Sequence, residues 1–131
     1  MVVKSYRDLR VWQKGTLLAK EIYRLTKGFP RSERFGLTSQ IQRAAISVPS
    51  NIAEGQSRRH TGEFRQSLYH SLGSLAEVDT QLYLAQELVY IRAGDAAPAE
   101  ALVVELRRMM HALVSRLPNQ RRERGPLTTG H

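Results

Sequence analysis

Apolar residues recur along this chain at steps of three and four, the spacing that places them on one side of an α-helix. Leu9, Trp12, Thr16, Ala19, Tyr23 and Thr26 form one such stripe, with Val11, Leu18, Ile22 and Leu25 adjoining it. The pattern predicts a first helix over Tyr6–Lys27, closed by Gly28 in a left-handed cap and by Pro30, which cannot extend the hydrogen-bond ladder. Leu37, Ile41, Ala44, Ala45, Val48 and Ile52 predict a second helix over Phe35–Glu54, ending at Gly55. Pro49 falls inside it and is expected to kink or interrupt it, with Ser47 and Ser50 placed to satisfy the freed carbonyls. A polar, basic connection over 56–62 offers Thr61 as an N-cap. Phe64, Leu68, Leu72, Leu75, Leu82 and Val89 then predict a third helix over Gly62–Ile91. Gly94 and Asp95 mark a turn in which Asp95 is the expected N-cap and Pro98 occupies the first turn of a fourth helix. That helix carries Leu102, Leu106, Met109, Leu113 and Leu117 and stops at Pro118.

No alternating apolar and polar run of comparable length predicts a strand. Short connections favour antiparallel neighbours, so the expected fold is all-α, an antiparallel up-and-down four-helix bundle. The 131 residues and 41% hydrophobic content fit one domain over 1–118, followed by a basic tail over 119–131 expected to be mobile. A lone chain of this size buries only about two-thirds of the surface that its unfolded form exposes, so self-association would add burial.

Charge changes the picture. Twenty Lys and Arg stand against twelve Asp and Glu, a formal net charge of +8. Such an excess attracts polyanions, nucleic acid among them, without sequence preference, and it also serves solubility. Basic groups cluster at Arg31 and Arg34, at Arg58, Arg59 and His60, at Arg107 and Arg108, and at Arg121, Arg122 and Arg124. Arg58, Arg59, Arg107, Arg108, Arg121, Arg122 and Arg124 are the candidate phosphate contacts, because a guanidinium fork matches phosphate oxygens. Helix–turn–helix, zinc-finger, RNA-recognition and KH signatures are absent, so binding led by the backbone is expected rather than base readout.

The absence of cysteine excludes disulfides, thiolate metal sites and a cysteine nucleophile, and fits a cytoplasmic location. No hydrophobic leader opens the sequence and no run is long enough to span a membrane. His60, His70, His111 and His131 are scattered, and no Glu has a His three positions on, so neither a metal nor another cofactor is expected. Ser47, Ser50, Glu54, His70 and Glu77 are the residues available for acid–base or nucleophilic work. No catalytic motif organises them, and no catalytic residue is expected. A polar stripe, Gln40, Arg43, Ser47, Asn51 and Glu54, runs along the second helix, with Glu77 near it on the third. It reads either as a hydrogen-bond network fixing register between helices or subunits, or as a ligand-contacting groove.

Three segments, Tyr6-Arg7-Asp8-Leu9-Arg10-Val11-Trp12-Gln13-Lys14, Phe35-Gly36-Leu37-Thr38-Ser39-Gln40-Ile41-Gln42-Arg43-Ala44-Ala45 and Ser47-Val48-Pro49-Ser50-Asn51-Ile52-Ala53-Glu54-Gly55, carry a family resemblance. With Gly73-Ser74-Leu75-Ala76-Glu77 and Thr80-Gln81-Leu82 they resemble the four-helix-bundle family encoded by intervening sequences in bacterial large-subunit (23S) ribosomal RNA genes. The resemblance extends over Tyr6–Leu117. It implies a ring-shaped homopentamer with no established catalytic activity, and it singles out Arg43, Ser47, Pro49, Asn51, Glu54, Gly55, Gly73 and Glu77 without assigning them roles. Gly73 and Ala76 can also be understood through packing, as small residues that let helices approach. A similarity to basic pentameric accessory proteins of diversity-generating retroelements adds an analogy for nucleic-acid binding. The expected function is a non-enzymatic oligomeric scaffold that binds RNA or other nucleic acid. The alternative is an adaptor that recruits an acidic protein.

Overall fold

The computed structural model describes residues 5–58 and 61–118. Four helices follow one another, α1 (Arg10–Thr26), α2 (Leu37–Ser57), α3 (Thr61–Glu87) and α4 (Ala97–Arg116), with 3-10 turns at Tyr6–Asp8 and Arg31–Glu33. There is no strand among the described residues. No helix among them is long and apolar enough to cross a membrane.

Contacts between successive helices run in opposite chain directions. Gln42 of α2 meets Thr26, while Pro49 meets Gly15. Ser47 and Val48 meet Ser74 and Ser71 of α3, and Gly55 lies against Ser67. Asp79 and Gln86 of α3 reach Arg107 and Glu100 of α4, and α4 returns to α1 through Glu105 and Lys14. Each helix thus has two neighbours and shares one apolar interior. Leu18, Ile22, Ile41, Val48, Ile52, Leu68, Leu75, Leu82, Leu106 and Met110 are sealed from solvent. Burying a side chain of this size stabilises the fold by about 1.5–3 kcal/mol.

On α1 the buried stripe is Val11, Gly15, Leu18, Ile22 and Leu25. The stripe through Leu9, Trp12, Thr16 and Ala19 is only half-buried, and Tyr23 is exposed. Gly15 decides the orientation, because a Cβ built there would lie 3.3 Å from the Cβ of Pro49. The hydrogen in its place lets the proline ring pack directly on α1.

Pro49 does not break α2, whose helical turns continue from Leu37 to Ser57. A proline in a helix interior lacks the N–H that would bond the carbonyl four residues back, at a cost of about 3 kcal/mol. Here its ring is buried, and side chains engage carbonyls beside it: the Ser71 hydroxyl donates to Val48 O at 2.8 Å and Asn51 Nδ2 to Ser47 O at 2.9 Å. Ser50, expected to help, is exposed.

Several ends differ from expectation. Tyr6–Asp8 is a separate turn capped by Ser5, whose Oγ accepts from Arg7 N, and extended Leu9 divides it from α1. Gly28 is not left-handed; α1 closes in a turn through Phe29 N to Thr26 O. Gly55 lies inside α2, not beyond it. Thr61 is the first residue of α3, so the cap before it lies outside the described residues. The N-cap of α4 is Ala96 rather than Asp95, while Pro98 does occupy the first turn.

The largest revision is at α3, which stops at Glu87. Val89 has φ of 61°, its N–H bonds Gln86 O at 3.0 Å, and Tyr90 N bonds Ala85 O at 2.9 Å. That is a Schellman ending with valine where glycine is usual. A β-branched side chain in the left-handed region is strained, and at 82% exposure Val89 gains no burial in return.

Two stability changes follow. Val89→Gly should raise the urea midpoint, by about 1 kcal/mol of stability, the size of the left-handed penalty. Gly55→Ala should lower it by about 1–2 kcal/mol, because overpacking exceeds the gain in helix propensity. The new Cβ would lie 2.5 Å from Ser67 Cβ and 3.0 Å from Phe64 Cδ1.

Candidate functional site

The polar stripe on α2 divides in two. Its inner part is a compact network with α3: Ser47 Oγ lies 2.8 Å from Ser74 Oγ, and Asn51 Nδ2 donates to Ser47 Oγ at 2.9 Å. Ser47, Asn51 and Ser74 are all half-buried. Hydroxyls and an amide placed this way fix the register of two helices, since sliding either one would leave polar groups unpaired in the seam. The neighbours of Ser47 Oγ are a hydroxyl and an amide, neither of which takes a proton from it.

The outer part, Gln40, Arg43 and Glu54, faces solvent, as does Glu77 on α3. Glu54 pairs with Arg58 one turn on, at 2.9 Å. Gly73 is exposed, with nothing within 4 Å of a Cβ built on it, and Ala76 is exposed too. Neither serves close helix approach within the chain; Gly15 and Gly55 do. Ser50 and His70 are exposed at separate points of α2 and α3. Among the described residues no group of three or more His, Asp or Glu is placed to hold a metal ion.

The candidate phosphate contacts do not converge within the described residues. Arg58 is at the end of α2, 2.9 Å from Glu54 and 3.9 Å from Glu63. Arg107 bonds Asp79 across the α3–α4 seam at 3.0 Å. Arg108 is exposed and has no ion pair among the described residues. Arg59, His60, Arg121, Arg122 and Arg124, and with them the basic tail, lie outside the described residues. The acid partners are exposed, so these ion pairs are worth little and yield readily to a phosphate.

Beside α1 and α2 lies a shallow, mainly apolar groove of about 370 Å³, lined by Trp12, Thr16, Ala19, Ile46, Pro49 and Ala53 among others. It is where the half-buried stripe of α1 comes to the surface. The Tyr6 ring covers its end and packs on Trp12 with ring centroids 5.3 Å apart.

Three ties escaped the sequence pattern. Ser71 is fully buried on the core stripe between Leu68 and Leu75, a position whose i, i+3, i+7 spacing signals burial despite the residue type. Gln42 donates to the buried hydroxyl of Thr26 at 3.0 Å, joining α1 to α2. Glu33 is the third: its carboxylate accepts Leu37 N at 2.9 Å and the Tyr90 hydroxyl at 2.9 Å. It caps α2 and ties the α1–α2 connection to the residues after α3. The Leu37 N–H, then the Tyr90 hydroxyl, hold the Glu33 carboxyl below its ordinary range. The bond to Glu33, aided by burial, raises the Tyr90 phenol.

A carboxyl whose pKa is lowered by folding stabilises the fold above its unfolded value and loses that contribution as pH falls through the folded one. Glu33→Gln should therefore be less stable than the parent at neutral pH, with the gap between their urea midpoints narrowing in acid. An unchanging gap would mean that the charge on Glu33 plays no part.

Residues 7–112 match a family model described as 23S rRNA-intervening sequence protein. No curated protein matches the chain.

Proposed function

The chain belongs to the 23S rRNA-intervening sequence protein family, and from that premise we propose that it is a non-enzymatic, oligomeric, cytoplasmic scaffold that binds RNA or another nucleic acid through basic surfaces. The observation that carries this reading is the distribution of cations. The net charge is +8, and exposed Arg31, Arg34, Arg92, Arg108 and Arg116 have no ion pair among the described residues. Arg31, Arg34 and Arg92 stand on the two connections at one end of the bundle and Arg108 and Arg116 along α4, a separation that suits a long polyanion better than a small one, with affinity arising from phosphates and released counterions. The apolar groove along α1 and α2 supports assembly, since a small bundle gains from covering such a surface. The same groove, with Arg7 over the Tyr6 ring that helps line it, favours a second reading, an adaptor that holds an acidic protein.

Light scattering on nuclease-treated protein, then titration of the same sample with RNA at low and high salt, tests the proposal. A mass several times the 14.9 kDa chain is expected. The logarithm of affinity should fall with the logarithm of salt by about 0.7 for each single-strand phosphate engaged. A monomer without RNA affinity would overturn both parts, and affinity for an acidic polypeptide but not for RNA would favour the adaptor.

A further inference from the structure

We propose that the α1–α2 connection is a stacking platform for an unpaired nucleobase, with Phe35 as the surface on which the base lies and Arg31 and Arg34 as contacts to its flanking phosphates. The proposal deepens the nucleic-acid reading and rests on it. Phe35 is 87% exposed, the most exposed large apolar side chain among the described residues. Phe29, six residues earlier, is buried and packs on Tyr90 with ring centroids 5.6 Å apart, so the connection has its core anchor without Phe35.

The platform is rigid. Glu33 N bonds Pro30 O at 2.9 Å, Arg34 N bonds Arg31 O at 3.0 Å and Gly36 N bonds Glu33 O at 2.9 Å, so turns hold the peptides on either side of Phe35. The Glu33 carboxylate holds the segment to α2 and to Tyr90. A ring presented this way loses little conformational freedom when a base stacks on it.

Charge selects the partner. Between Lys27 and Gly36 the side chains of Lys27, Arg31 and Arg34 carry positive charge against one acid, Glu33, whose carboxylate bonds Leu37 N and the Tyr90 hydroxyl, leaving the segment net positive. Arg92 is exposed on the adjacent connection, where Arg24 Nη2 donates to the Asp95 backbone carbonyl at 3.2 Å. The Arg34 guanidinium lies over the Phe35 ring, 5.3 Å from its centroid. An aromatic face beside arginines is the arrangement that holds unstacked bases, whose π-faces meet the ring while their phosphates meet the cations. In a duplex the bases are stacked on each other and out of reach, so the site discriminates single strands from double strands.

The test compares the full chain with Phe35→Ala, Phe35→Trp and the double variant Arg31→Gln/Arg34→Gln. Probes are a short single-stranded oligoadenylate and an RNA duplex of equal length. Phe35→Ala should weaken single-strand binding about tenfold, within the range for loss of one base–aromatic stack, and leave duplex binding and the salt slope unchanged. Phe35→Trp should retain the single-strand affinity. The arginine variant should weaken both probes and lower the single-strand salt slope by about 1.4. If the parent binds single strands in a salt-dependent way and Phe35→Ala binds them equally well, the stacking platform is wrong and the broader reading stands. If the parent binds neither probe at low salt, the broader reading fails and this one with it. A change in molar mass for Phe35→Ala would overturn the proposal by placing the ring at a contact between copies.

Discussion

A proline in the middle of a packed helix sets two requirements at once: the carbonyl one turn back loses its donor, and a bulky ring must find room. At Pro49 the carbonyl so affected is that of Ala45, and the ring is accommodated between α1 and α2. Gly15 supplies the room on α1 by carrying no side chain. Ser71 and Asn51 bring donors to carbonyls beside the ring, and Ser47 links the site to Ser74. The face of α1 that meets α2 follows from Gly15, and the height at which α3 lies against α2 follows from Ser71 and Ser74. Residues of three helices thus meet around one that a helix interior disfavours.

The helical class, the number of helices and most of the interior were legible from periodicity, because steps of three and four line residues up on one side only when the backbone turns as an α-helix. Which of two adjoining stripes on α1 would be buried was not legible: Trp12 and Tyr23 are the larger apolar residues, yet contact with Pro49 turns Gly15 inward. The end of α3 was hidden for a different reason. Glycine is the usual mark of a left-handed helix end, and the chain has Gly94 nearby, whereas the residue that turns is Val89. The polar stripe on α2 was legible as a stripe, but its division into an inner network and an outer solvated row depends on where α3 lies. Gly73 suggests packing by its size alone, although size says nothing about which side of a helix a residue occupies.

The candidate site was less legible than the fold. Arginine clusters along a sequence need not be clusters in space, and Arg58 and Arg107 each face acids from another turn or another helix. Family membership accounts for the shared bundle and leaves the partner to the surface, where cations outnumber their acid counterparts. Polar side chains in the seams hold the structure while exposed ones remain available. That separation lets one scaffold keep its shape as its surface charges change.

The Glu33 carboxylate has one partner four residues away and another 57 residues away. Its bond to Leu37 closes a single local turn. Its bond to Tyr90 requires α3 to have folded back along α2. The start of α2 is therefore held by one contact of short sequence separation and one of long separation, so the cap joins a local turn to the tertiary fold.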